Sequence, residues 1–273
     1  MSRVDAACFA VAGPVSNNAC TLTNVAWSID AKQLQSPLGT SLIRVINDFE
    51  AVGYGILDLK PSNVLTLHDA PAVPHAPMVV LGPGTGLGQA LLTWDAGSGH
   101  YTVHPTEGAH ADFAPVGDIQ RRLAAAMEAQ LGECEVEMVC CGVGIVRIYD
   151  LLRSETPGTA APAGLTPADV TSRALAGTCP VATQAMHLFL SILGAEAANL
   201  GLKALARGGV FIAGGIPGRI MPLLTSTRHL QDAFLRPSCR FAGVRATMPL
   251  HVVRLADPGL RGALLVTLRS LKG

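Results

Sequence analysis

Glu107 and His110 stand three residues apart across Gly108 and Ala109, just ahead of Asp112-Phe113-Ala114-Pro115. A carboxylate and an imidazole at that spacing, with only small residues between, can reach one polar ligand. Sugar hydroxyls both donate and accept hydrogen bonds, so Glu and His suit them. A metal reading needs a third ligand, which the sequence does not nominate; the plain alternative is a surface turn. A second carboxylate, Asp48, follows Asn47 at the end of the apolar run Ser41 to Ile46. Open α/β sheets place their chemistry at the carboxyl ends of strands, although Asn-Asp there also suits a turn or a helix cap. Glu137 interrupts the apolar run Val136 to Cys141, expected to be a strand, so it lies at a sheet edge or in a polar pocket.

Glycine marks the other chemistry. Gly82-Pro83-Gly84-Thr85-Gly86-Leu87-Gly88 has four glycines in seven residues and can turn backbone N–H groups toward an anion. It is not a P-loop, because no Gly-Lys-Ser/Thr follows, and the dinucleotide register fails at Leu87; a plain hairpin turn is the alternative. Glycine pairs also flank the short strand in Gly208 to Gly215, where a flat ligand could lie on bare backbone or a helix and strand could pack tightly.

The elements that must position these residues alternate. Strands are expected over Ala6–Ala12, Ser41–Ile46, Met78–Leu81, Val210–Ala213 and His251–Leu255, with Gln89–Trp94 and His100–His104 paired around a turn. Gly117–Leu131 carries Ile119, Leu123 and Met127 on one helical face. Thr166-Pro167 with Asp169 opens another helix. A long helix over Ala182–Ala206 and a C-terminal helix after Asp257-Pro258-Gly259 complete the pattern. Leu59–Pro77 and Arg153–Leu165 read as loops, and Gly142-Val143-Gly144 as a tight turn. The pattern is that of an α/β protein.

At 273 residues, with 49% hydrophobic and 15% charged residues, the chain can build a sizeable core, and 4% aromatics mean an aliphatic one. Twenty basic residues balance twenty acidic ones, so nothing calls for nucleic acid or a membrane surface. The seven cysteines form no C-x-x-C pair and predict reduced thiols in a reducing, cytoplasmic compartment. The start is too short and too charged for a signal peptide. Met186–Gly215, the most apolar stretch, contains Glu196, Lys203 and Arg207 and reads as a buried helix feeding a strand.

Taken in order, Ala12-Gly13-Pro14-Val15, Thr23-Asn24 with Trp27, Val45 to Phe49 with Ala51-Val52, Gly82 to Gly88, Glu107 to Pro115, Cys141 to Gly144 with Tyr149, Gly208 to Gly215 and Asp257 to Leu260 resemble the bacterial-type glucokinase family over nearly the whole chain. The resemblance implies the actin-like (ribonuclease H-like) two-lobed kinase fold, with residues 1–58 plus 255–273 in a small lobe and 59–254 in a large one. It implies ATP, Mg2+ and glucose as ligands and a homodimer. Asp48 would match the general base, Asn47, Glu107, His110 and Glu137 the sugar contacts, and Gly82, Gly84, Thr85, Gly86, Gly88, Gly214 and Gly215 the phosphate and nucleotide motifs. The cysteine-rich zinc motif of the related repressor and sugar-kinase family has no match. Nor does the Asp-x-Gly-Gly-Thr-Asn loop with which the family normally begins, so the expected small lobe is N-terminally truncated. A non-catalytic sugar-binding or regulatory protein of the same fold is the alternative.

Overall fold

The computed structural model describes residues 4–22, 27–156 and 162–271. Thr23-Asn24 and part of the expected 153–165 loop lie outside the described residues. In chain order come β1 (Ala7–Val11), β2 (Ala19–Thr21), β3 (Ser28–Asp30), α1 (Ala31–Leu38), β4 (Ile43–Asn47), α2 (Asp48–Ile56), β5 (Val64–His68), β6 (Met78–Pro83), β7 (Leu87–Asp95), β8 (His100–Thr106) and α3 (Gly117–Leu131). There follow α4 (Val136–Val139), α5 (Gly142–Ser154), α6 (Pro167–Leu175), α7 (Pro180–Ala204), β9 (Gly209–Ile212), α8 (Gly215–Arg219), α9 (Met221–Ser226), α10 (His229–Leu235), α11 (Ala242–Ala246), β10 (Leu250–Val253) and α12 (Pro258–Ser270).

The chain divides into two compact units: residues 4–65, 90–105 and 254–271 of the described chain, and residues 66–89 with 106–253. In the first, β1 and β4 run parallel, with Ala7 opposite Ile43 and Val11 opposite Asn47. Val45 and Ile43 are buried from β4 with Cys20 and Ala31, and Phe9, Ile29 and Leu34 pack on them. Helix α12 lies on α2 at very short range, which two glycines permit: a side chain on Gly262 would run into the Ala51 carbonyl, and one on Gly55 into that of Pro258.

In the second unit β6, β9 and β10 are parallel, with Val79 and Leu250 both opposite Val210. The full sheet order is β5-β10-β9-β6-β7-β8. Strand β6 is buried on both faces at Val79, Val80 and Leu81, as a central parallel strand must be. Helix α7 supplies much of the core, including Phe189, Leu190, Ile192 and Leu193, each such side chain contributing roughly 1.5–3 kcal/mol by leaving water. It is long and apolar enough to cross a membrane, but 78% of its most apolar window is buried inside the protein, as the reading of a core helix requires.

Three expectations fail. Val136–Cys141 is not a strand: Val136–Val139 forms the single turn α4, and Gly142-Val143-Gly144 is not a tight turn but the start of α5. A short apolar run cannot be assigned by periodicity. The corner between α4 and α5 needs Gly144, where an added Cβ would stand 2.7 Å from the Val139 carbonyl oxygen. Leu59–Pro77 is not all loop, because Val64–His68 is β5, an edge strand beside β10 with no fully buried residue. With neither face sealed, its composition reads as loop. The four helices that were expected form as α3, α6, α7 and α12; α6 opens on a capping box, with Asp169 N–H donating to Thr166 Oγ1 at 3.2 Å and Thr166 N–H to Asp169 Oδ2 at 2.9 Å.

Candidate active site

The glycine-rich segment narrows to a three-residue turn. Gly82 and Pro83 end β6, Leu87 and Gly88 begin β7, and Gly84-Thr85-Gly86 joins them. Gly84 N–H bonds the Gly86 carbonyl at 2.8 Å, and the Gly84 carbonyl accepts from Gly142 N–H at 2.9 Å, which ties the turn to the start of α5. Beside it lies a cavity of about 610 Å³, with Gly84, Thr85, Val143, Gly215 and Arg219 among its walls. That volume falls within the usual range for small-molecule sites. An added Cβ at Gly84 or Gly215 would meet nothing within 4 Å, so bare backbone faces open space there. Gly214 has φ 93°, and a Cβ on it would stand 2.7 Å from the Pro83 carbonyl oxygen, so only glycine fits where the ends of β6 and β9 meet. The positive end of the α5 dipole opens on the cavity, and Arg219 adds a cation. Together these walls suit a polyphosphate. The sequence motifs led to the glycines but missed the α5 terminus, hidden by the misread turn, and Arg219, which ends the unassigned helix α8.

Glu137 stands against this turn. Its Oε2 accepts the Leu87 N–H at 2.7 Å, and Gly86 leaves the room its carboxylate occupies. Glu107 and His110 bracket the one-turn 3-10 segment Gly108–His110. His110 Nε2 lies 4.0 Å from Glu107 Oε2, while His110 Nδ1 pairs with Glu135 Oε2 at 2.8 Å. Sequence reading did not nominate Glu135; it is 25 residues away and reaches His110 because Asp112 bridges to it. Ala109 is buried and is not among the positive-φ residues, so its side chain is tolerated in the turn.

The Glu135 carboxylate bonded to the ring holds His110 above the ordinary histidine value; burial opposes this, and the charges of Glu137 and Glu107 add to it. A raised value means that the pair's contribution to stability is complete below the unfolded value of about 6.5. It is lost as pH rises through the folded value. Glu135→Gln should therefore lower the His110 pKa toward the ordinary value in an NMR titration; an unmoved midpoint would remove Glu135 as its cause.

Asn47 and Asp48 belong to the first unit, at the carboxyl end of β4. Asn47 caps α2, its Oδ1 accepting from Phe49 N–H at 2.8 Å and Glu50 N–H at 3.2 Å, while its Nδ2 donates to the Gly13 carbonyl at 3.2 Å. Asp48 is the first residue of α2, exposed, with Oδ1 accepting from Phe49 N–H at 2.9 Å. The cap geometry thus presents a carboxylate at a strand end.

A glucokinase from an Antarctic psychrotroph superposes with a TM-score of 0.85 at 28% identity, covering 96% of this chain and 80% of that one. A Balamuthia mandrillaris glucokinase solved with glucose gives a TM-score of 0.83 at 24% identity, covering 97% of this chain and 78% of that one, and so agrees in fold. The class is therefore that of the actin-like, two-lobed sugar kinases. Residues 1–270 match the glucokinase family model, and the chain belongs to the glucokinase family, whose members are ATP-dependent hexose kinases. Proteins named glucokinase from a Synechocystis sp. and a Nostoc sp. are 39% and 38% identical, over 97% and 98% of this chain and 79% and 83% of their own lengths.

Proposed function

We propose that this chain transfers the γ-phosphoryl group of ATP to the 6-hydroxyl of D-glucose, with Asp48 as general base. The observation that carries the reading is the glycine-walled cavity beside Gly84-Thr85-Gly86, which has a cation and a helix amino terminus on its walls. Asp48 takes the hydroxyl proton as the sugar oxygen bonds to the γ-phosphorus and the bond from that phosphorus to its bridging oxygen breaks, giving glucose 6-phosphate and ADP. Such transfer is mostly positioning and charge stabilisation, with a carboxylate to orient the nucleophile. Asn47, Glu107, His110 and Glu137 hold the sugar hydroxyls. Gly82, Gly84, Thr85, Gly86, Gly88, Gly214 and Gly215 give the nucleotide phosphates close access to backbone.

Magnesium, when bound, would come with the nucleotide and would screen phosphate charge. Among the described residues no group of three or more His, Cys, Asp or Glu side chains gathers to form a cage. The same reading makes the protein a cytoplasmic homodimer, with glucose and ATP as its partners and neither nucleic acid nor membrane among them. The family membership and the glycine-walled cavity favour catalysis over the non-catalytic alternative.

The test is glucose-dependent ADP formation with Mg-ATP, with the product identified as glucose 6-phosphate; no product at saturating glucose would overturn the reading. Glu107→Gln should weaken glucose binding by roughly 1.5–3 kcal/mol, the worth of a charge-assisted hydrogen bond. Unchanged affinity by calorimetry would remove Glu107 from the sugar site.

A further inference from the structure

Gln89 and Glu196 are 1% and 6% exposed, which is deep burial for an amide and a carboxylate. Gln89 sits on β7 and Glu196 on α7, and Gln89 Nε2 donates to Glu196 Oε1 at 2.9 Å. The other end of the same amide faces Gly108: a Cβ there would stand 2.7 Å from Gln89 Oε1. Gly108 opens the 3-10 turn between Glu107 and His110, and its N–H donates to Thr106 Oγ1 at 3.1 Å.

A carboxylate can only accept hydrogen bonds, so Glu196 requires the NH₂ of Gln89 to face it. The carbonyl oxygen of Gln89 is thereby turned onto Gly108. Burial raises the Glu196 carboxyl above its ordinary value, while the Gln89 bond, the Lys203 charge and the Asn199 bond act the other way. Asn199 Nδ2 reaches Glu196 Oε2 at 3.4 Å, so Gln89 makes the shorter of the two contacts.

We propose that Glu196 and Gln89 are positioning residues for glucose: the carboxylate fixes the orientation of the Gln89 amide, and the amide seats the Gly108 turn so that Glu107 and His110 face the sugar. This rests on the reading of Glu107 and His110 as sugar contacts. The pair touches neither sugar nor nucleotide. It acts through the backbone at Gly108, and bulk at Gly108 is excluded for the same reason.

Glu196→Gln keeps the shape and removes the constraint on the amide. Two measurements separate this proposal from the reading beneath it. The first needs no ligand: amide hydrogen exchange at Gly108, His110 and Ala111 should accelerate roughly fivefold to tenfold, while α7 amides stay as they were. The second is glucose affinity by calorimetry with a kinetic split: glucose KM should rise by a similar factor, with ATP KM unchanged and kcat nearly so. The double variant Gln89→Glu with Glu196→Gln restores one donor and one acceptor across the pair and should restore both readouts. Unchanged exchange at the three amides would overturn the relay. Faster exchange with unchanged glucose affinity would overturn its role in sugar positioning. An equal rise in both KM values with a lowered melting temperature would mean a structural role only and would also overturn it. A parent protein that binds no glucose would overturn the kinase reading, and the exchange result would still decide whether the pair seats the turn.

Discussion

Asp48→Ala should lower turnover by roughly 10²–10⁴-fold, the usual contribution of a positioned acid or base, while glucose binding stays largely intact. The side chain is exposed at the start of α2, so its loss opens no cavity in the core. Asn47 still caps the helix through Phe49 and Glu50. The cost to the fold is that of one acidic group in a helix first turn, about 0.3–1 kcal/mol. Asp48→Asn, of nearly the same shape, should be as inactive as the alanine variant, because what is removed is basicity. The measurement is kcat for glucose-dependent ADP formation, beside calorimetric glucose affinity for each variant. A comparable rate in either variant would mean that another group, or water alone, takes the proton.

What could be read from the sequence was local. Asn47-Asp48 announced a strand end because short polar residues follow an apolar run, and the fold places them at the end of β4 and the start of α2. Thr166-Pro167 with Asp169 announced a helix start because a capping box is complete within four residues. The glycine turn was legible because glycines clustered between two apolar runs mark a turn. The missed features depend on partners far along the chain. Glu137 was placed on a strand because nothing in Val136–Cys141 shows a helical face; the residue is instead held by the Leu87 amide, 50 positions away. Gln89 and Glu196 are separated by 107 positions, and nothing local to either names the other as its partner. Strand β5 escaped notice because an edge strand without a buried face has no alternation to declare it.

Gly262→Ala should destabilise the first unit by roughly 3 kcal/mol, the upper part of the range for overpacking a tight contact. Judged by helix propensity alone the change should help, since glycine within a helix costs about 1 kcal/mol relative to alanine. Packing decides against it. A Cβ on Gly262 would run into the Ala51 carbonyl oxygen and lie 2.6 Å from the Gly55 nitrogen and 2.8 Å from the Ala51 carbonyl carbon. These are backbone atoms of α2, with no flexible side chain to swing aside, so α12 must move off α2. Gly259→Ala on the same helix is the control: its nearest neighbour would be Val52 Cγ2 at 3.7 Å, an ordinary contact, so it should be neutral or slightly stabilising. Calorimetric melting should show Gly262→Ala lowered by roughly 5–10 °C, with Gly259→Ala near the parent. Because Asp48 begins α2, turnover should fall with Gly262→Ala even at temperatures where the protein remains folded. Equal melting temperatures for the two variants would show that α2 and α12 are not locked at this glycine contact, and the base would then owe its position to the Asn47 cap and β4 alone.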